Sequence, residues 1–218
     1  ASIISWSLGN ESGNGENHTA AAEMVRKLDS TRFVFHEGEL KCGWGQGSGD
    51  KQSGGPHEIN AFYNPMYTKL SELKEFSNNP FSTRPAIMSE YAHAMGNSSG
   101  SLSDYWELFY SAKSIQGGFI WDWIDQGLLQ YDQNGKPFYA YGGDFGEKIH
   151  DFNFCCNGMI AADRTPHPAM YEFRYLTQPV KVTSYGEPFG FCLKNRRDFT
   201  DLADLAGTWS VEVNGKTV

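Results

Sequence analysis

From Ser2 to Trp123 the sequence alternates short apolar runs of strand length with longer segments whose apolar residues recur at helical spacing. That alternation limits the fold more than any other feature. Ser2–Leu8 reads as a continuous apolar strand. Glu16–Leu28 carries helical spacing through Ala20, Met24 and Leu28, with Asp29-Ser30 closing it, and Phe33–His36 is the next strand. Parallel strands need such a crossover, so this is a βαβ unit. Residues 38–56, rich in Gly, Ser and Gln, predict a long loop at the exit of the second strand. Ile59–Tyr63 with Pro65-Met66-Tyr67 predicts a third strand and its exit turn, followed by a helix over about Leu70–Phe76. Pro85–Glu90 is the fourth strand, and Gly118–Trp123 the fifth. Between them Leu102–Ser114 predicts a helix with Tyr105, Trp106, Phe109 and Tyr110 packing inward.

Strands joined by crossover helices, without a phosphate-binding glycine motif, predict an α/β chain. Its residues 1–177 would form the C-terminal part of a (β/α)8 TIM barrel, about strands 4–8. After Asp125 the pattern changes to a Gly-, Tyr- and Asp-rich stretch through Gly158, with a last helix near Pro166–Leu176. From there Val180–Ser184, Phe189–Leu193 and Gly207–Val213 are short β-like runs between polar turns, which predict the beginning of an all-β sandwich over residues 178–218. The chain opens inside a strand-like run without an initiator Met and stops just past a hairpin turn at Asn214-Gly215, so it reads as a piece of a longer protein.

Charge removes several function classes. Eighteen Lys and Arg against 26 Asp and Glu give a formal net charge of −8, and no basic tract offers itself to nucleic acid. No apolar run approaches the roughly 20 residues of a membrane span. Cys42, Cys155, Cys156 and Cys192 lack metal-ligand spacing and read as reduced thiols. A cytoplasmic setting is favoured over a periplasmic one, and the compartment stays open.

Two glutamates stand at polar strand exits: Glu11 in Gly9-Asn10-Glu11-Ser12-Gly13 and Glu90 in Ser89-Glu90-Tyr91-Ala92-His93. Barrel chemistry sits at the C-terminal ends of strands, where these lie. A retaining glycosidase needs two such carboxylates roughly 5 Å apart, one to attack the sugar and one to protonate the leaving oxygen.

Five runs carry a resemblance: Ser7 to Gly13, Ser89 to Ser98, Gln116 to Trp123, Tyr141 to Gly146 and Asp163 to Pro168. In order and spacing they resemble glycoside hydrolase family 2, in particular its long β-galactosidases. The resemblance implies a retaining double displacement on terminal β-D-galactosides such as lactose. It implies Glu90 as nucleophile and Glu11 as acid/base, the nucleophile staying ionised and the acid carrying the raised pKa. It further implies that Asn10 binds the sugar 2-hydroxyl, that Tyr67 orients the nucleophile, that His93 and Asn157 bind sugar hydroxyls and that Trp121 walls the sugar pocket. A magnesium ion would take Glu11, and a sodium ion the Phe154 carbonyl and the Asn157 side chain, with the remaining ligands upstream of this chain. The parent would be a homo-oligomer, and the isolated chain inactive.

Blander readings stand beside these. Trp6, Trp106 and Trp123 read as core, and Trp121 competes with that reading. Asp122 and Asp125 read as fixing backbone, and Glu37 as supporting the site from behind. His18, His36, His150 and His167 receive no catalytic role. The alternatives are a non-catalytic barrel fragment, or a relative acting on another β-glycoside such as a glucuronide or mannoside; a glucuronidase would need cationic side chains for the sugar carboxylate.

Overall fold

The structure, a computed structural model, describes residues 3–40, 59–80, 82, 84–186 and 190–218. Cys42 and most of the loop expected at 38–56 lie outside the described residues. The chain divides into two units, Ala1–Phe173 and Arg174–Val218.

In the first unit β1 (Ser5–Ser7) and β2 (Phe33–Phe35) pair in parallel, in the register Ser5 to Phe33, and α1 (Glu16–Leu28) makes the crossover. Ala22 of α1 is buried with Val34 and Ile59, and Leu8 and Val25 pack on them. The amide side chain of Asn60 then takes the place of a strand neighbour for β2: the His36 N–H donates to its Oδ1 at 2.7 Å, and its Nδ2 donates to the His36 carbonyl at 3.0 Å. A buried backbone must find partners somewhere, and here one side chain satisfies both groups.

The expected third strand is a row of single parallel bridges instead. Tyr63 bridges Ala86 and Met66 bridges Glu90, with Ile87 and Ser89 donating to the Tyr63 and Pro65 carbonyls. Pro65 has no N–H to give, which interrupts a continuous ladder. After α2 (Leu70–Asn78) comes β3 (Ala86–His93), buried along much of its length. It pairs in parallel with β4 (Ile115–Trp121), reached through α3 (Leu102–Ser111). Their register shifts between Met88/Gly118 and Ala92/Ile120, so extra β3 residues are accommodated around Glu90. Gly118 makes this approach possible, since a Cβ there would stand 2.9 Å from the Met88 Cβ and 3.0 Å from the Tyr91 ring. Beyond β4, Ile124 bridges Ile160 in parallel.

Several expectations are corrected. The first strand is three residues rather than seven, and Trp6 on it is 36% exposed. Trp123 is 55% exposed, because β4 ends at Trp121 and strand alternation no longer aims the residues beyond it. Tyr110 is also exposed, lying just past the α3 stripe that packs Tyr105 and Phe109 on Tyr91. Trp106 is half-buried and donates to the Tyr91 hydroxyl at 3.1 Å. The stretch after Asp125 holds a hairpin, β5 (Leu128–Tyr131) against β6 (Pro137–Ala140), whose turn is tied by Asp132 accepting from the Asn134 and Lys136 amides.

α4 (Pro168–Leu176) runs across the division between the units. In the second unit β7 (Val180–Ser184) pairs antiparallel with β8 (Phe191–Asn195), and β9 (Glu212–Val213) with β10 (Lys216–Thr217) around Asn214-Gly215, both at positive φ. Gly207–Val213 is thus a strand only in its last two residues. No helix among the described residues is long and apolar enough to cross a membrane.

Candidate active site

Glu90 occupies the irregular part of β3 and is 8% exposed. The adjoining chain supplies its partner, because the bridge at Met66 brings Tyr67 alongside: the Tyr67 N–H donates to the Glu90 carbonyl at 2.7 Å, and the Tyr67 hydroxyl donates to Glu90 Oε2. Burial, then the charges of Glu90 and Glu11, hold the Tyr67 phenol well above the usual range, so it stays a donor.

Glu11 arrives from a different direction. It follows β1 in an exposed turn with φ 49°, and Gly13 two residues on has φ 72°. Its amide N–H donates to Glu37 Oε1. Glu37 is therefore a support for the site, as its position suggested.

Burial raises the Glu90 pKa above its ordinary value of 4.5, and the charges of Glu11, Glu37 and Asp122 raise it further, while the Tyr67 hydrogen bond pulls it down. The sequence reading requires Glu90 to stay ionised, and the upward push narrows the pH range over which it does so. The reason is geometric, since three carboxylates converge on a group that strand β3 buries.

At the exit of β3, His93 stands opposite Trp121 in the β3–β4 register, its ring 6.2 Å from Tyr67 and stacked at 5.9 Å on Phe154. Burial lowers the His93 pKa, which favours the neutral imidazole. Asn157, buried, donates through Nδ2 to the Phe154 carbonyl at 2.9 Å, while its Oδ1 is buried with no hydrogen-bond partner among the described residues. The Asn157 carbonyl accepts from the Asp122 N–H at 2.7 Å, which ties this loop to the end of β4.

Glu11, Glu90 and Tyr67 are thus brought together, and so are His93, Phe154 and Asn157. Asn10, exposed beside Glu11, and half-buried Trp121 join them through chain neighbourhood and strand register. Asp122 and Asp125 do fix backbone: Asp122 accepts from the Trp123 N–H at 2.5 Å, and Asp125 from the Gly158 N–H at 2.7 Å. Asp125 also pairs with His167 Nε2 at 2.8 Å, a structural use of that histidine. The sequence reading missed His36 and Gly38, which touch the Glu11 turn. Only their nearness to Glu37 could have pointed to them. Cys155, Cys156 and Cys192 are free thiols.

For magnesium this chain presents Glu11, and among the described residues no group of three His, Cys, Asp or Glu could hold a metal ion. For sodium the orphaned Asn157 Oδ1 beside the Phe154 carbonyl is the kind of hard oxygen pair that such an ion takes.

The sequence is similar to known proteins along most or all of its length. Residues 1–182 match the family described as "Glycosyl hydrolases family 2, TIM barrel domain". A protein of Vibrio vulnificus (strain CMCP6) named "Beta-galactosidase" is 39% identical over 231 residues, spanning 100% of this chain and 21% of the relative. Another of that name, from Pseudoalteromonas haloplanktis, is 44% identical over 190 residues, spanning 84% of this chain and 17% of the relative. The chain spans about a fifth of the length of the curated relatives it matches. A family match across most of its length, with a mixed α/β fold, places this chain in glycosyl hydrolase family 2, within the TIM barrel domain.

Proposed function

We propose that this chain carries the two catalytic carboxylates of a retaining β-galactosidase. One observation carries the reading: Glu90 is buried in β3 with one carboxylate oxygen held by the Tyr67 hydroxyl, and Glu11, whose charge acts on it, follows a different strand. In the first step a Glu90 oxygen attacks the anomeric carbon while Glu11 gives its proton to the leaving oxygen, which breaks the glycosidic bond and leaves a galactosyl ester on Glu90. In the second, Glu11 takes a proton from water, the water oxygen attacks the same carbon, and Glu90 is released as carboxylate. Tyr67 holds one carboxylate oxygen so that the other faces the sugar. A neutral His93 can exchange hydrogen bonds with sugar hydroxyls, and the same proposal assigns Asn10 and Asn157 to hydroxyls and Trp121 to a wall of the pocket. The relatives named as β-galactosidases favour a galactoside over a glucuronide or mannoside.

The Phe154 carbonyl and Asn157 Oδ1 would hold a sodium ion, which when bound supplies positive charge and fixes the loop whose Phe154 ring packs on His93. Glu11 would be one ligand of a magnesium ion; a single carboxylate falls short of that ion's octahedral shell, and no step here depends on it. The parallel run of β1 with β2, and of the 63–66 bridges with β3 and β4, is what an arc of a closed barrel would give, and the second unit would begin an all-β domain.

Proton NMR of an aryl β-galactoside cleaved by the protein expressed from its complete coding sequence tests the reading. The first-formed sugar should be the β-anomer, and an α-anomer would contradict it.

A further inference from the structure

Three consecutive residues at the exit of β2 grip the turn that presents Glu11. Glu37 accepts the Glu11 amide N–H. His36 Nε2 lies 2.6 Å from the Gly13 carbonyl oxygen. A carbonyl can only accept, so the imidazole proton sits on Nε2 and is donated there. Gly38 lets the same carbonyl come close, since a Cβ at that position would stand 2.1 Å from the Gly13 oxygen. The grip spans the turn, whose residues Glu11 and Gly13 both hold positive φ. A glutamate pays for that conformation, so something outside the turn must select it.

The gripping segment is itself anchored. His36 is fully buried, and its backbone is held on both sides by the Asn60 amide. Its ring stacks on His18 at 4.0 Å and 13°, and His18 Nε2 reaches the Ser12 hydroxyl at 3.3 Å, in the middle of the turn. Three residues beyond His36, the Glu39 carboxylate accepts from the Ile59 and Asn60 amides at 2.8 and 2.7 Å. Each of these contacts to the turn therefore comes from a segment fixed in the fold.

We infer that Glu37, assisted by His36, is a positioning residue for the acid/base: it sets where the Glu11 carboxyl points by holding the Glu11 backbone. The inference rests on the proposed glycosidase reading. It assigns Glu37 no contact with sugar, and its chemical consequence is specific. A displaced Glu11 protonates the leaving oxygen poorly, which matters for a poor leaving group and hardly at all for one that departs without a proton. Attack by Glu90 itself needs no proton from Glu11.

The test uses protein from the complete coding sequence and aryl β-galactosides of graded leaving-group acidity. For Glu37→Ala, kcat/KM on phenyl galactoside should fall by about 30-fold or more, and on 2,4-dinitrophenyl galactoside by less than about 3-fold. Azide, a nucleophile that needs no general base, should speed turnover of the dinitrophenyl substrate by the variant and yield galactosyl azide. Glu37→Gln keeps an acceptor for the Glu11 N–H and should return to within about 5-fold of the parent, while Glu37→Asp, one methylene shorter, should not. His36→Phe keeps the stacked ring without the donor and should show the same leaving-group dependence at about 3- to 10-fold. Equal losses on all substrates, or no loss, would overturn the inference. Labelling by a 2-fluoro galactoside with a good leaving group separates the cases. Parent and Glu37→Ala should both be labelled at Glu90, which also reports that the variant folds. A parent that is not labelled there overturns the glycosidase reading and the inference with it.

Discussion

The two strands that deliver the carboxylates are built differently. β3 has eight residues, is flanked on both sides by parallel partners and buries Glu90, whereas β1 has three residues, one parallel partner among the described residues and a turn that leaves Glu11 exposed. Glu90 is placed by its own strand and needs only Tyr67 to orient it. Glu11 lies beyond its strand, so its placement is borrowed from β2 through Glu37 and His36. Under the proposed reading, the group that attacks the sugar sits within a paired, buried strand, and the group that gives and later takes a proton sits where solvent can reach it.

The largest effect should follow from changing the buried member. Glu90→Gln should lower kcat by at least about a thousandfold, or ~4 kcal/mol of barrier, through loss of the nucleophile. The same change should leave Tm equal or higher at neutral pH. Because the folded-state pKa of Glu90 is raised, its ionised form costs stability above that pKa, and the cost fades as pH falls below the ordinary 4.5. Thermal melts at pH 7 and pH 4 should therefore show any gain only at pH 7; a lower Tm at pH 7 would show that burial does not penalise this carboxylate.

Tyr67→Phe should come next, with kcat/KM down about 10- to 100-fold. Its hydrogen bond lowers the Glu90 pKa, so removing it raises that pKa further. The nucleophile must be ionised, so the acidic limb of the kcat/KM profile should move to higher pH in Tyr67→Phe than in the parent. A limb that stays put would remove Tyr67 from the charge balance.

Asn157→Ala should act more gently, raising KM for the galactoside and weakening any dependence of KM on sodium, with kcat changed less than about 10-fold. The readout is a sodium titration against a potassium background.

How much of this was legible in the sequence follows from the range of the forces involved. The crossover helices and parallel strands could be read because helical and strand periods are local, and α1 has the bounds expected of it, Glu16–Leu28. The expected strand exits pointed to both glutamates, although β3 runs on to His93 and Glu90 lies three residues inside its end. The third strand was harder, since Pro65 interrupts the ladder and only pairing with β3 completes it. The β5–β6 hairpin had a local signal in Asp132, Asn134 and Gly135 that the wider change of composition obscured. Trp6 and Trp123 were misjudged because exposure depends on where a strand ends and on what packs beside it. The grip of His36 and Glu37 on the turn was not readable, because it joins backbone groups 23 and 26 residues away. The upward push on Glu90 had the same origin, in burial and, after it, in charges that the fold alone assembles.

The smallest effect is expected in the second unit, where β7 and β8 leave Val182 and Leu193 exposed. Leu193→Ser should cost less than about 0.5 kcal/mol in urea unfolding if that face meets solvent. A cost of about 2 kcal/mol or more would show that further chain covers it.

The central claim is that Glu90 bonds to the sugar. Incubation with a 2-fluoro galactoside bearing a good leaving group, followed by proteolysis and mass spectrometry, should find one labelled peptide, the one containing Ile87-Met88-Ser89-Glu90-Tyr91, with the label lost in Glu90→Gln. A label on another residue, Glu11 included, would contradict the account.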